Sequence, residues 1–444
     1  NPTRSSRALR IEAARAPALK AMLARALWSS TLRLALPFVF LRLWWRGRRE
    51  PGYRQGWGER LGLSGPPLAP GAIWIHAVSL GETRAAATLL EALRGLRPGV
   101  RLLLTHGTAT GRAAGSPLLR ETDAQCWLPY DTPGAVRRFI ARFRPAVGVL
   151  METEVWPNLI DQASRRGVPM LLANARLSER SAHKGRRFAA LLGTAARQLR
   201  LALAQTADDA RRLREAGVSE VEVCGNLKFD MTPAAEQVAR GRTWRASVAR
   251  PVVMMASSRE GEEEPLLQAW LGLRAPRPLL LLVPRHPQRF DAVAQLVRST
   301  GLSLAQRSAW QVGPVGGQLE ADVWLGDSLG EMPVYFGAAD VALLGGSFAP
   351  LGGQNLIEAA ACGCPIVMGP YTFNFAQAAE LSLAAGAAIR VQTIDEGVAR
   401  AVALAGDADR DAWSARALAF AAEHRGAALR MASRVLQIVD EAAR

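Results

Sequence analysis

Several short stretches set chemically able side chains directly after apolar runs of strand length. The first is IWIHAVSLGE (Ile73–Glu82), which leads into a helical pattern. Ser79, Gly81 and Glu82 fall on the strand-to-helix turn, where open parallel sheets bind their ligands. A carboxylate at such a turn suits a general base facing a cleft. It suits an N-terminal cap equally well, because an acid in the first helical turn gains from the helix dipole. Next comes METEVWPN (Met151–Asn158). Glu152 and Glu154, spaced by two, share one side if the strand continues, and Pro157 suits the first turn of a helix. A solvated surface pair is the plain alternative. In CGNLKFD (Cys224–Asp230), Lys228 stands beside Asn226 and Asp230. Its ammonium would stabilise developing negative charge, or simply pair with Asp230.

The second half has its own set. VPRHPQR (Val283–Arg289) follows a strong strand, and Arg285, His286 and Arg289 would crown its end and hold a phosphate. LGDSLGEM runs from Leu325 to Met332, and GGSFAPLGGQN (Gly345–Asn355) opens a helix at Leu356-Ile357-Glu358. Glycines before a helix let backbone N–H groups approach an anion. Glu358 is placed to accept from ribose hydroxyls; a tight packing turn would explain the same pattern. The spacing is neither that of a dinucleotide fingerprint nor that of a P-loop, so a dehydrogenase or an ATPase is not supported.

The elements that must position these residues alternate. Apolar runs at Ile73–Val78, Arg101–Thr105, Ala146–Met151, Pro169–Ala173, Leu201–Ala204 and Val221–Cys224 are separated by helical patterns. A second series runs through Val252–Ala256, Leu279–Val283, Asp322–Leu325, Val341–Leu344, Ile366–Met368 and Ala388–Val391. This rhythm predicts two doubly wound α/β domains. The expected division is an N-terminal extension over 1–49, a first domain over 50–235, a polar linker over 236–250 and a second domain over 251–444 that includes a terminal helix. A cleft between the domains is the expected ligand site.

Composition narrows the classes further. The 444 residues are 49% hydrophobic and 21% charged, which excludes global disorder. Lys and Arg number 55 against 39 Asp and Glu, a net +16, so an anionic partner is expected. Aromatics are 6% and no zinc-finger or RNA-binding pattern appears, which disfavours nucleic acid. Cys126, Cys224, Cys362 and Cys364 are too scattered for a disulfide scaffold, and the Cys362–Cys364 pair has no partners for zinc. From Ala26 to Trp45 the chain is strongly apolar, then basic at Arg46–Arg49. Arg33 and Arg42 leave only Leu34–Leu41 uninterrupted, so the expectation is a helix lying in a membrane interface with anionic head groups. A buried core helix is the alternative.

Taken in order, HAVSLGE, METEVWPNL, ANARLSERS, GNLKFD, SSREGEEE, VPRHPQRF, GDSLGEM, GGSFAPLGGQNLIEAA and GPYTFNF resemble the 3-deoxy-D-manno-octulosonic acid (Kdo) transferases of lipopolysaccharide synthesis. The resemblance implies a GT-B glycosyltransferase that moves Kdo from CMP-Kdo to a lipid A precursor (lipid IVA) at the cytoplasmic face of the inner membrane. It makes Glu82 the general base and Glu152, before Glu154, a transition-state stabiliser together with Lys228. It puts CMP contacts on Pro284, Arg285, Gly330, Glu331, Met332, Asn355 and Glu358. No cofactor or metal is implied; the partners are CMP-Kdo, the lipid acceptor and an anionic inner-membrane surface, without nucleic acid. Gln354 departs from the family pattern, which has His there. The alternatives are another GT-B nucleotide-sugar enzyme, such as an epimerase, and a basic nucleic-acid-binding protein.

Overall fold

The computed structural model describes residues 2–444, with side chains from Leu19 onward. The first 18 residues of the expected extension over 1–49 therefore lie outside the described side chains. The chain forms two units, one of Asn1–Asp230 with Arg425–Arg444 and one of Met231–His424.

The first unit is built on seven parallel strands: β1 (Ile73–His76), β2 (Leu102–His106), β3 (Ala124–Trp127), β4 (Val147–Met151), β5 (Met170–Ala175), β6 (Leu201–Ala204) and β7 (Val221–Val223). Their order in the sheet is β3-β2-β1-β4-β5-β6-β7. Strands β1, β2, β4, β5 and β6 are buried on both faces, which is why they read as unbroken apolar runs. Helices cover both faces, as parallel crossovers require.

The second unit has β8 (Val252–Ser258), β9 (Leu279–Pro284), β10 (Leu304–Gln306), β11 (Val323–Leu325), β12 (Val341–Leu344), β13 (Ile366–Met368) and β14 (Ala388–Arg390). They are parallel and ordered β10-β11-β9-β8-β12-β13-β14. The carboxyl ends of β11, β9, β8 and β12 thus stand side by side.

Two boundaries differ from the sequence expectation. The stretch read as a linker over 236–250 is the helix Ala235–Ala246, part of the second unit. It lies so close to the helix Met332–Ala338 that a Cβ on Gly241 would sit 2.0 Å from the Val334 carbonyl oxygen. Its polar composition hid a helix that packs through small residues. The terminal helix Ala427–Ala442, expected in the second domain, belongs to the first unit. It buries Met431, Val435 and Ile438 in the core beside Leu89 and Leu93 of the helix Leu80–Leu96. Asp230 accepts from the Gly426 and Ala428 N–H groups, capping this helix.

The N-terminal helix Pro2–Arg46 runs without a break through Arg33 and Arg42. The buried-helix alternative fails. Leu27, Leu34, Phe38 and Leu41 are 70%, 76%, 73% and 63% exposed. Over Leu19–Arg46 the helix is long and apolar enough to cross a membrane by length and composition.

Candidate active site

The Glu82 side chain closes the turn after β1. Its Oε2 accepts from the Val78 N–H at 2.9 Å and its Oε1 from the Ser79 hydroxyl at 2.9 Å, while the Ser79 Oγ accepts from the Glu82 N–H at 3.4 Å. This is a reciprocal capping box, so the capping reading holds. It does not exhaust the residue. Burial raises the Glu82 carboxyl above the ordinary range, the hydrogen bonds from Val78 and Ser79 oppose this, and the neighbouring charge of Glu152 adds to it.

Glu154 is pushed up to about 7, first by burial and then by the charge of Glu82, with Glu152 adding. The three carboxylates therefore form one cluster at the ends of β1 and β4. Glu152 holds a left-handed backbone, φ 57°, with its N–H donated to the Ala173 carbonyl at 2.9 Å. Such a conformation costs about 1–2 kcal/mol for a residue with a Cβ, and is typical of functional sites. Three of the four non-glycine residues with positive φ among the described residues end strands of the two sheets: Glu152, Asn174 and Ser257.

Lys228 lies on the turn Leu227–Asp230, after β7. A buried amide chain pins this turn to β5. The Leu227 N–H donates to Asn174 Oδ1 at 3.0 Å, Gln205 Nε2 to the Asn174 carbonyl at 2.9 Å, and Asn226 Nδ2 to Gln205 Oε1 at 3.0 Å. Asp230 spends its carboxylate on the terminal helix, as above. Since Glu152 also bonds to β5, the Glu152 and Lys228 loops share one strand as their anchor.

The loop carrying Glu152 and Glu154 is also tied to the N-terminal helix, through residues that the sequence did not single out. Asp131, 2% exposed, accepts from Trp28 Nε1 at 2.8 Å and from the N–H groups of Asn158 and Leu159 at 3.2 and 2.7 Å. Ser29 donates to Asn158 Oδ1 at 3.1 Å, and Arg25 pairs with Asp161. Burial pushes Asp131 up to about 6, against the pull of the Trp28 and backbone donors. The apolar helix is thereby fixed to the first turn of the helix Pro157–Ser164, which follows the METE loop directly.

In the second unit, the Arg285 N–H donates to the Ser258 carbonyl at 3.0 Å and its Nε to Gln354 Oε1 at 3.1 Å. Arg285 is exposed at the end of β9, and Gln354 orients it in place of the expected imidazole. Arg289 does not join it. Its guanidinium is taken by Glu260 at 3.1 Å and Glu263 at 3.2 Å, so only part of the expected cationic crown is offered. His286 is exposed beside Arg285.

The glycine-rich loop is also used differently from the expectation. The N–H groups of Gly346, Phe348 and Ala349 all point at the Glu262 carboxylate, at 2.7, 3.1 and 3.4 Å. Glu262 is 1% exposed and also accepts from the Arg259 N–H at 2.9 Å. The protein supplies its own anion there, which leaves the later residues Gly352–Asn355 nearest the helix. Asn355 caps that helix by accepting from the Ile357 N–H at 3.2 Å, and Glu358 sits half-buried in its first turn.

Glu331 is clamped by Arg240 at 2.5 Å and Arg307 at 3.0 Å, with Ser328 donating to its other oxygen at 2.5 Å. Burial alone would raise its carboxyl, but Ser328, Arg307 and Arg240 outweigh it and hold it low. Gly330 takes the left-handed conformation, φ 77°, and Met332 starts the helix. The Gly330–Met332 loop and the Pro284–Arg285 loop follow neighbouring strands, β11 and β9. Among the described residues, no group of three or more His, Cys, Asp or Glu side chains is arranged to hold a metal ion.

Residues 55–231 match the family model described as 3-Deoxy-D-manno-octulosonic-acid transferase (kdotransferase). A 3-deoxy-D-manno-octulosonic acid transferase of Bordetella pertussis is 46% identical over 91% of this chain and 97% of its own. The chain belongs to the Kdo transferase family. A second Kdo transferase, from Haemophilus influenzae, is 34% identical over 85% of this chain and 90% of its own. A glycosyltransferase structure from Rickettsia africae shares the fold, with a TM-score of 0.56 at 13% identity, over 85% of this chain and all of that one. The chain is thus a GT-B glycosyltransferase built of two parallel-sheet units. Its exposed apolar helix agrees with membrane association.

Proposed function

We propose that the chain transfers Kdo from CMP-Kdo to a lipid A precursor on the cytoplasmic face of the inner membrane. The first unit handles the acceptor and its proton; the second holds the nucleotide. Glu82 takes the proton from an acceptor hydroxyl, whose oxygen attacks the ketosidic carbon of Kdo. The bond from that carbon to the phosphate oxygen breaks, and CMP leaves with inversion. The observation that supports this most is the Glu82 carboxyl, half-buried and raised beside two further glutamates. A carboxylate whose burial raises its proton affinity is a stronger base than a solvated one, and a positioned base contributes about 10²–10⁴-fold to the rate.

Lys228 and Glu152 stabilise the transition state in this reading. Arg285 and the loops of Pro284, Gly330–Met332, Asn355 and Glu358 bind CMP. Arg285 answers the charge on the departing phosphate, without routing any step through a metal ion. The basic excess suits a phosphorylated glycolipid and an anionic leaflet. The test is the mass of the product after incubation with CMP-Kdo and tetra-acylated precursor. Addition of one or more Kdo units is expected. An unmodified acceptor with no release of CMP overturns the reading.

A further inference from the structure

Beneath the helices Glu179–Arg186 and Ala189–Gln198 the first unit has a partly open cavity of about 440 Å³. Its floor and walls are mostly aliphatic, with Leu172 from β5, Leu192 and Ala196 from the second helix, and Leu213. Thr153 and Val155 line it as well, and they flank Glu154 in the METE loop. Domain interiors are packed like organic crystals, and an unfilled aliphatic void costs stability. A void of this size next to a chemically active loop calls for an apolar occupant.

The rim indicates what that occupant is attached to. The helix Glu179–Arg186 buries none of its residues, and Arg180, Lys184, Arg186 and Arg187 all face solvent within eight positions. Arg186 itself lines the cavity. Phe188, 61% exposed, follows them. Aliphatic depth with cations at the mouth matches one acyl chain of an anionic lipid.

We infer that this cavity seats an acyl chain of the lipid acceptor, with the cations of 180–187 meeting its phosphate. The inference rests on the acceptor being an acylated, phosphorylated glycolipid. It accounts for position: a chain lying along Thr153 and Val155 holds its head group beside the glutamate cluster that contains the base, Glu82. Burying a chain here also makes acyl length a determinant of acceptor choice.

The test fills the cavity. Gly185 and Gly193 both line it; a Cβ built on Gly185 meets nothing within 4 Å, and on Gly193 nothing nearer than 3.6 Å. Leucine also favours a helix more than glycine does, so the filled variants keep a stable fold. Transfer from CMP-Kdo is measured for the full chain carrying Gly185→Leu, Gly193→Leu or both. The acceptors are the tetra-acylated precursor and the same phosphorylated disaccharide stripped of its acyl chains. The expected result is a rise of about tenfold or more in KM for the acylated acceptor, corresponding to ~1.4 kcal/mol of lost binding. KM for the stripped acceptor, CMP affinity and melting temperature stay unchanged. The single variants carry the test if the pair lowers the melting temperature. An unchanged KM for the acylated acceptor, or an equal rise for both acceptors, overturns the cavity assignment alone. Failure of the unaltered chain to use either acceptor overturns the acceptor reading, and this assignment with it.

Discussion

In the first unit Glu82 and Glu154 sit half-buried beside Glu152, with carboxyls pushed upward by burial and by one another. In the second unit Glu331 occupies a comparable turn after β11, and two arginines and a serine hold its carboxyl low. Glu262 is buried too, but backbone N–H groups surround it. The architecture is the same; the depth of burial varies from the buried Glu262 to the half-buried glutamates, and the partners differ in kind. Where carboxylates crowd one another, a proton is retained near neutral pH and can be exchanged. Where two guanidinium groups and a hydroxyl meet the carboxylate, as at Glu331, the carboxyl is held low and its oxygens are fully engaged. One sheet edge is thus suited to moving a proton, and the other to presenting a firm frame and an exposed Arg285 to an anion.

The contrast can be broken first at Glu82. Glu82→Gln keeps the side chain's shape and one of its two capping acceptors, the amide oxygen that can take the Val78 N–H, yet should lower turnover by about 10²–10⁴-fold. Steady-state transfer assays check this. Arg285→Ala should act on the other side, weakening CMP by about 10- to 100-fold, the worth of a hydrogen bond to a charged group. Calorimetric titration of CMP reads it directly. The smallest effect is expected at Glu154. Its carboxyl is raised from 4.5 to about 7, so the folded state binds the extra proton between those values and loses stability as pH climbs through them. Glu154→Gln should therefore stabilise the protein by about 1–2 kcal/mol at pH 8, allowing for solvent screening at a half-buried site, and by nothing below pH 4.5. Denaturant unfolding at the two pH values distinguishes this from a uniform change.

Much of this organisation is legible in the residues, and its failures share a cause. Twelve strands announce themselves as apolar runs, ten of them paired on both sides and two, β7 and β14, at sheet edges. The two that do not, Ala124–Trp127 and Leu304–Gln306, are both edge strands, β3 and β10. An edge strand has one partner and less need of continuous apolar character. Glu82 reads as cap or base from its position, and the geometry shows the capping box while burial and Glu152 lift its carboxyl beyond what a cap needs. The glycine-rich loop misleads for a different reason. Its N–H groups are claimed by Glu262, 84 residues before Gly346, and no local pattern reveals such a distant acceptor. Arg289 likewise looks available until Glu260 and Glu263 fold against it. The Trp28–Asp131–Asn158 node joins three distant segments, so only the fold can show that the apolar helix braces the METE loop.

The division of labour is tested most directly by measuring transfer and CMP binding on a single preparation of Glu82→Gln. The account predicts a protein that binds CMP within a few-fold of the unaltered chain and forms almost no product. Near-normal turnover, or loss of CMP binding in step with loss of transfer, would contradict it.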